Sequence, residues 1–425
     1  PCLALAAMAV LGVPESVPAP VRTVSTWAGY YNQTDPNDLP LLNKYRLVVI
    51  NNTQQFGPIL GQLDADTLAI YYYAPSISSR PPTGSFDSQW EIINVNEAWF
   101  LHDGLGQRIM FPGEGINPPD PDTSWTFWFM DMNNAEYMTY RTNRYLAHLN
   151  QNPNLDGFYY DFPSIWAGFI QYTAPDLDCF NNIPAGNTPP TAFTSQINWD
   201  NFYNPPIAAI RAALPAESVG IANDWLYGPL TQAAGGGFGE HMFHYYWNSG
   251  FYSESAWKSQ VDLLASPDVA GCYTMISSSW SPDNTIGDKS QAIRFGVSSY
   301  LLGRRTDKEA FYGFRDNTTG GVPQYEALFD LEIGQPTAPY FQQNGAYLRG
   351  YDDGLVLVNP STSEKIVSVP GYTGYWDLDG QLISSGQVTL PGQTAQILTE
   401  AHLPIIKLSK PDMLFAGVAG GPAPV

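Results

Sequence analysis

The sequence predicts an α/β fold in which a (β/α)8 TIM barrel is followed by a small antiparallel β-sandwich. From residue 21 to about residue 315, short β-rich runs alternate with amphipathic helical segments, which is the pattern of parallel βα units. Eight of these runs qualify as strands, the number that closes a TIM barrel. After residue 340 the pattern changes to short alternating runs separated by turn residues, which is typical of antiparallel strands.

The eight predicted barrel strands are rich in β-branched and aromatic residues, the types that favour strands. They are VSTWAGY (24–30), RLVVIN (46–51), TLAIYYY (67–73), LDGFYYD (155–161), VGIAN (219–223), EHMFHYYW (240–247), GCYTMI (271–276) and AFYGF (310–314).

Apolar spacing predicts helices between these strands. Asn133 and Glu136 form a capping-box-like helix start, and Pro205–Pro206 marks the start of a second helix. Apolar residues at helical spacing should face the barrel in these and in a third helix. They are Met138, Tyr145, Leu146 and Leu149, then Ile207, Ile210 and Leu214, and then Ile293, Val297, Tyr300 and Leu301.

The predicted chain has four parts. Residues 1–20 are an apolar arm or signal remnant, residues 21–335 the barrel, residues 336–402 the β-sandwich and residues 403–425 an apolar tail. The sandwich has no obvious titratable cluster, so packing against the barrel is favoured over sugar binding as its role.

Two long stretches interrupt the regular alternation, residues 74–130 and 163–204. Each is rich in Pro, Asn, Asp and aromatic residues and follows the C-terminal end of a predicted strand. The active site of a TIM barrel is built from the loops after its strands, and long loops there are usually functional. We therefore expect both stretches to wall a deep cleft.

The charge balance argues against several partners. The chain has 40 acidic and 19 basic residues and a net charge of -21, a field that repels phosphate backbones and anionic lipid headgroups. Nucleic acid is therefore not an expected partner, and no apolar run of 18 or more residues predicts a membrane span. Charged and aromatic residues each make up 14%, a composition typical of secreted carbohydrate-active proteins. We expect an extracellular or cell-surface location.

Both ends of the chain are apolar. The run CLALAAMAVLGV (2–13) resembles the core of a signal peptide, and LPIIKLS and MLFAGVAGG after Leu403 have the same character. The alternative is that residues 2–13 and 403–420 belong to the mature protein and mediate self-association, because exposed apolar segments are costly in water.

The acids at two predicted strands point to glycosidic-bond hydrolysis. That reaction needs two carboxyl groups across the sugar, one to protonate the leaving oxygen and one to act as nucleophile or base. Asp161 closes the fourth strand, and Glu240 lies at the sixth after a glycine-rich run. We assign Asp161 as nucleophile or base and Glu240 as acid. Asp156 should lie near the start of its strand and have a structural role.

Other polar and aromatic residues near strand ends or insertions could contact sugar hydroxyls and ring faces. If Glu240 lies before its strand, then His244, Asn248 or Asp224 could take its place. The predicted substrate-binding residues are Tyr73, Trp99, His102, Asp103, Asn223, Asp224 and Trp247.

Motifs for other chemistries are missing from the sequence. It has no Walker motif, no GxGxxG after a strand, no HExxH and no GxSxG. Five His and three Cys are scattered without the spacing of a transition-metal site. No metal and no cofactor is expected, and the run PPDPD (118–122) reads as a solvated turn rather than a Ca²⁺ loop.

Over most of residues 24 to 400 the sequence resembles glycoside-hydrolase-like TIM-barrel families of unassigned specificity. The resemblance is carried by WAGYY, YRLVVIN, EAWFLHDGLG, MDMNNAEY, LDGFYYDF and AYLRGYDDGLVLVNPS. It implies a carbohydrate substrate and places catalytic acids at the ends of the fourth and sixth strands, here Asp161 and Glu240. Two alternatives remain: a barrel that has lost catalysis and serves as a structural subunit of an extracellular assembly, and a carbohydrate-binding barrel without turnover.

Overall fold

The structure is a computed structural model. It describes residues 23–31, 36–51, 53–75, 77–79, 90–102, 108, 110–111, 127–161, 196–226, 228–244, 250–282, 288–316 and 325–400.

Eight parallel strands form one sheet in sequential order. The sheet closes into a barrel where Thr26, next to the first strand, pairs in parallel with Tyr312 of the last. The strands are β1 (Trp27–Tyr31), β2 (Leu47–Ile50), β3 (Leu68–Tyr73), β4 (Gly157–Tyr160), β5 (Val219–Asn223), β6 (Gly236–Gly239), β7 (Tyr273–Trp280) and β8 (Ala310–Asp316). The predicted TIM barrel is confirmed.

The prediction of the sixth strand was wrong. Strand β6 is the glycine run itself, GGFG, and the segment from residue 240 follows it. His241 and Phe243 have φ angles of 53° and 71°, which no strand residue adopts. The glycines are required by close packing, since a Cβ on Gly236 would lie 2.6 Å from the carbonyl oxygen of Gly220. Tertiary packing here overrides the low strand propensity of glycine.

Helices surround the barrel on its outer face. The longer ones are α1 (Thr53–Leu60), α2 (Ala135–Gln151), α3 (Gln196–Ala213), α4 (Gly228–Ala234), α5 (Glu254–Ala265) and α6 (Lys289–Gly303). Shorter α-helices are Leu39–Leu42 and Trp90–Asn94, and 3-10 turns are Pro36–Asp38, Glu97–Trp99, Pro267–Val269 and Ala327–Asp330.

Two predicted helix starts need correction. Asn134, not Asn133, caps α2, because its side chain accepts hydrogen bonds from the backbone N–H groups of Glu136 and Tyr137. Helix α3 begins at Gln196, so Pro205 and Pro206 lie inside it rather than at its start. The apolar spacing was nevertheless informative, since every residue that it placed on the inner face of α3 is buried.

The barrel separates two apolar layers. Alternate strand residues fill its interior, and the others pack against the helices. The buried interior residues are Trp27, Leu47, Val49, Ile70, Tyr159, Val219, Ile221, Phe238, Met275 and Phe311.

A β-sandwich follows the barrel. Its strands are β9 (Phe341–Gln343), β10 (Ala346–Tyr351), β11 (Gly354–Asn359), β12 (Lys365–Ser368), β13 (Trp376–Asp377), β14 (Gln387–Leu390) and β15 (Thr394–Thr399). A five-stranded antiparallel sheet, in the order β9-β10-β11-β15-β13, faces the β12-β14 pair across an apolar core. The other face of the larger sheet shares a buried cluster with α5 and α6. Arg294 of α6 pairs with Asp379, and Arg349 donates to three backbone carbonyls at the end of α6.

The first insertion contains a small antiparallel sheet. Its strands are Ile77–Ser79, Met110–Phe111 and Phe127–Phe129. Nearby, Glu97 accepts from Arg108 and contacts His102 at 2.8 Å. Within the described ranges, no helix is both long and apolar enough to cross a membrane. The apolar ends (1–20 and 403–425) and the PPDPD run lie outside those ranges, so their predicted roles stay predictions.

Gly157 of β4 offers a test of strand packing. A Cβ at this position would lie 1.8 Å from the carbonyl oxygen of Val219 in β5, and the backbone would have to move. We expect Gly157→Ala to lower the free energy of unfolding by about 2–4 kcal/mol, in the range of severe packing errors. Chemical denaturation measures the change.

Gly57 in α1 is the matched control, because a Cβ there meets nothing within 4 Å. Gly57→Ala should leave stability unchanged or raise it by up to about 1 kcal/mol. Equal stability of the two variants would show that β4 does not need a glycine to lie against β5.

Candidate active site

A ring of polar side chains lies at the C-terminal mouth of the barrel. Each follows an inward-facing strand residue by two positions along the chain, so alternation directs it inward above the core. The ring comprises Tyr72 after Ile70, Asp161 after Tyr159, Asn223 after Ile221, Glu240 after Phe238, and Arg315 two residues after Gly313.

Asp161 is held by its neighbours on both sides. It immediately follows β4, and only 9% of its surface is exposed. Tyr72 of β3 is hydrogen-bonded to Oδ2, and the amide Nδ2 of Asn223 in β5 donates to Oδ1 at 2.9 Å. Both carboxyl oxygens are therefore oriented by the barrel strands and not by a loop.

Asn223 lies between the two acids. Its strand, β5, pairs with β4 and with β6, which lead into Asp161 and Glu240. The Asn223 side chain donates to Asp161, and its proximity to Glu240 helps to keep the pKa of that carboxyl low. The two acids therefore follow strands that lie about 10 Å apart, twice the spacing of neighbouring strands, and they face the same barrel mouth.

Arg315 of β8 is the charge partner of Glu240. Its Nη1 lies 2.5 Å from Oε1 of Glu240, and its guanidinium lies above the rings of Trp27 and Phe238. Burial disfavours the charged form of Glu240, but the attraction of Arg315, with a smaller contribution from Asn223, holds the pKa of that carboxyl below its usual value. The free site therefore contains an ionised Glu240 at neutral pH.

The two histidines beside Glu240 are neutral. Burial lowers the pKa of His241 to about 3 even though Glu240 favours its charged form. Its Nδ1 lies 2.7 Å from Oγ of Ser279, and its Nε2 lies 3.5 Å from Glu240. Burial likewise lowers the pKa of His244 to about 4, and both of its ring nitrogens face backbone carbonyls. His244 thus lies inside the packed structure and does not replace Glu240.

Asp224 supports the loop after β5. One of its carboxyl oxygens accepts from the backbone N–H of Leu226 at 2.9 Å, and the other accepts from Thr231 at 2.7 Å. Burial raises the pKa of Asp224 well above its usual value. Gly237 makes room for this group, since a Cβ there would lie 2.7 Å from Asp224. The carboxyl group is therefore occupied internally rather than presented at the barrel mouth.

The other predicted substrate-binding residues are dispersed. Tyr73 points to the outer layer, where its hydroxyl accepts from Arg141. Trp99 packs on Tyr140 in the same layer. His102 lies in the first insertion beside Glu97, while Asp103, Trp247 and Asn248 lie outside the described residues. Of the predicted set, the structure brings together Asp161, Glu240 and Asn223.

Tyr72 and Arg315 are the site residues that the sequence analysis missed. Period-two alternation could have found both: Tyr72, unlike Tyr71 and Tyr73, is in phase with Ile70, and Arg315 is in phase with Phe311. Among the described residues, no group of three or more His, Cys, Asp or Glu side chains is placed to hold a metal ion.

A closed eight-stranded parallel barrel with polar side chains at its C-terminal mouth defines a TIM-barrel protein. The model of hypothetical glycosyl hydrolase family 15 matches residues 69–355, which is more than half of the chain. The chain belongs to this family, and the predicted resemblance is confirmed. No curated protein sequence matches it.

Several solved structures are similar to this chain. The noncanonic maltogenic α-amylase AmyB from Thermotoga neapolitana has a TM-score of 0.50 and 10% identity, covering 90% of this chain and 99% of that one. Eubacterium rectale Amy13B has a TM-score of 0.49 and 11% identity, covering 89% of this chain and 94% of that one. The glycoside hydrolase domain of PelA from Pseudomonas aeruginosa has a TM-score of 0.42 and 10% identity, covering 69% of this chain and 94% of that one. At 10% identity the AmyB superposition establishes the shared fold alone.

Proposed function

We propose that this chain is a secreted hydrolase of O-glycosidic bonds in an oligosaccharide or polysaccharide, with Asp161 and Glu240 as its catalytic carboxyl pair. The observation that carries the proposal is the position of the two acids at the barrel mouth on either side of Asn223, whose side chain donates to Asp161 and helps to lower the pKa of Glu240. Family membership supports the reaction class. The composition and the signal-like run at residues 2–13 support secretion.

We propose a retaining mechanism, because a buried and ionised Glu240 is suited to form a covalent bond to the anomeric carbon. In that mechanism the two carboxyl groups lie about 5–5.5 Å apart, whereas inverting pairs are about 6.5–9.5 Å apart to leave room for water. NMR spectroscopy of the first-formed product tests the choice, and a product of inverted configuration would contradict it.

The charges favour roles opposite to those assigned from the sequence. Two nearby carboxylates repel each other when both are ionised, so such a pair retains one proton readily. Arg315 stabilises the negative charge on Glu240, so we assign the proton to Asp161 when the substrate is bound. In the free site both oxygens of Asp161 accept hydrogen bonds, and a protonated Asp161 can instead donate to the hydroxyl oxygen of Tyr72. Glu240 is then the nucleophile and Asp161 the acid.

In the first step a lone pair of the Glu240 carboxylate forms a bond to the anomeric carbon. The glycosidic bond breaks, and Asp161 transfers its proton to the leaving oxygen. In the second step the Asp161 carboxylate takes a proton from water, the resulting hydroxyl oxygen bonds to the anomeric carbon, and the Glu240 carboxylate leaves. Both acids end in their starting protonation states.

A screen of polysaccharides and oligosaccharides for release of reducing ends tests the proposal, with the Asp161→Asn variant as the blank. Release by the wild type and not by the variant supports it. Binding of a saccharide without any release would favour a carbohydrate-binding barrel instead. Release that is equal in both proteins would exclude Asp161 from the reaction.

Arg315→Met should change the pH dependence of hydrolysis. Without the guanidinium, burial raises the pKa of Glu240, so the ionised nucleophile is lost at a higher pH. We expect the acidic limb of the profile of kcat/KM to move toward neutral pH and the rate at pH 5 to fall by about 10-fold or more. The free energy of unfolding should depend on pH in the same direction. A carboxyl group whose pKa is lowered by folding stabilises the protein at pH values above that pKa, and this stabilisation is lost as the pH falls through it.

The matched control is Arg294→Met, which removes an arginine–aspartate pair between α6 and the sandwich. Its pH profile should coincide with that of the wild type. If the acidic limb of the pH profile of Arg315→Met lies at the same pH as in the wild type, this would contradict the role of Arg315 in keeping Glu240 charged.

A further inference from the structure

Trp225 is an exposed aromatic residue next to the candidate site. It follows β5 by two positions, and 38% of its surface is exposed. Asn223, whose side chain donates to Asp161, is two residues earlier on the same strand end. The loops after the strands of a TIM barrel form its ligand-binding face, and Trp225 lies on one of these loops.

The backbone that carries Trp225 is in an unfavourable conformation. Trp225 and Leu226 have φ angles of 56° and 60°, both in the left-handed region, and neither is glycine. Bulky residues in this region persist only where the surrounding structure imposes the conformation, and such positions cluster at functional sites.

Three hydrogen bonds and a buried anchor impose this conformation. The N–H of Trp225 donates to the carbonyl of Phe238 in β6 at 2.9 Å. The Asp224 carboxyl group accepts from Leu226 and from Thr231 of α4, and the Leu226 side chain is fully buried. The loop is therefore tied to β6 and α4, and Trp225 is presented to solvent from a rigid support.

We propose that Trp225 is a stacking platform for a pyranose ring of the saccharide bound at this barrel mouth, and that the saccharide is neutral. The proposal rests on the proposed function and names the substrate class of the same site. Apolar faces of pyranose rings pack on indole rings, and rigid aromatic side chains give contact area at little entropic cost. The net charge of -21 disfavours polyanionic saccharides.

The position of Trp225 allows it to contribute to saccharide binding without taking part in bond cleavage. Its backbone pairs with Phe238, two residues before Glu240, so the platform is adjacent to the acids but uses neither of them. A bound saccharide could therefore contact the indole whether or not its glycosidic bond is cleaved. Loss of the indole should raise KM more than it lowers kcat.

Calorimetric titration of the full chain carrying Asp161→Asn tests the platform without turnover. The probes are maltooligosaccharides, cellooligosaccharides and N-acetylhexosamine oligosaccharides, with an oligouronate as the anionic comparison. Adding Trp225→Ala should weaken binding of the best neutral probe by about 10-fold, and Trp225→Phe should weaken it by about 3-fold. The control is Phe341→Ala, which removes an exposed aromatic ring of the sandwich and should leave affinity unchanged.

The outcomes separate this proposal from the proposed function. Loss of affinity in Trp225→Ala without hydrolysis by the wild type would support the platform and contradict the enzyme. Hydrolysis by the wild type together with unchanged affinity in Trp225→Ala would support the proposed enzyme activity and contradict the platform. Thermal melting checks that each variant is folded, and a folded Trp225→Phe variant decides the question if Trp225→Ala unfolds. Failure of every neutral probe to bind, or tighter binding of the oligouronate, would overturn the proposal.

Discussion

Asp161→Asn should reduce the hydrolysis rate by about 10²- to 10⁴-fold, the range associated with loss of a general acid or base. The amide has nearly the same shape as the carboxyl group, so the contacts with Tyr72 and Asn223 can be kept in part. It can neither transfer a proton to the leaving oxygen nor accept one from water. The initial rate of reducing-end release on the saccharide identified by the screen measures the effect.

Asp156→Asn is the matched control on the same strand. Asp156 lies at the opposite end of β4, where its carboxyl group accepts from the backbone N–H of Ala69 at 2.7 Å, and the amide oxygen of asparagine can accept the same bond. The rate should stay within about 2-fold of the wild type. A similar loss of rate in both variants would indicate damage to the strand rather than loss of a catalytic group.

Glu240→Ala should lower the rate by a similar factor, and azide should restore turnover of an aryl glycoside. Alanine leaves space beside the anomeric carbon where the small anion can take the place of the missing carboxylate. If Glu240 is the nucleophile, the glycosyl azide formed has the opposite anomeric configuration to the substrate. If Glu240 is the acid, the azide product keeps the substrate's configuration. NMR spectroscopy of the product distinguishes the two.

Glu240→Ala also leaves Arg315 without its nearest anion, and the cost should be about 1–3 kcal/mol of unfolding free energy. Glu240→Gln keeps an acceptor for Arg315 and should be more stable, while remaining as inactive. An azide product of retained configuration would contradict the assignment of Glu240 as nucleophile. Unchanged activity in a folded Glu240→Gln variant would remove Glu240 from the mechanism.

The barrel was predictable because its main determinants are local. The runs RLVVIN, TLAIYYY and VGIAN each contain a confirmed strand, since buried parallel strands need consecutive apolar residues. Strand β6 was missed because four residues, three of them glycine, form a strand only where neighbours lie too close for side chains. That requirement is a property of the packed barrel and not of the segment itself.

The site was predictable in part for the same reason. Asp161 and Asn223 end strands with clear sequence patterns, so their position at the mouth followed from the topology. Tyr73 faces the outer layer, and Tyr72 faces the barrel interior. Side chains alternate along a strand, so only the phase of the strand decides which tyrosine of TLAIYYY faces inward. Arg315 follows a predicted strand, but its role depends on its ion pair with Glu240, which lies 75 positions away in the chain.

The sequence by itself determined the fold class, the strand that ends in Asp161 and the acidic character of the protein, since these depend on composition and on local periodicity. Only the tertiary structure decided that Asn223 lies between Asp161 and Glu240 and donates to Asp161, and that Arg315 keeps Glu240 charged. Electrostatic effects depend on distance and burial, and the sequence separation of two residues carries neither quantity. The charges at the barrel mouth, and with them the proposed roles of the two acids, therefore come from the packing of β4, β5, β6 and β8 around one point.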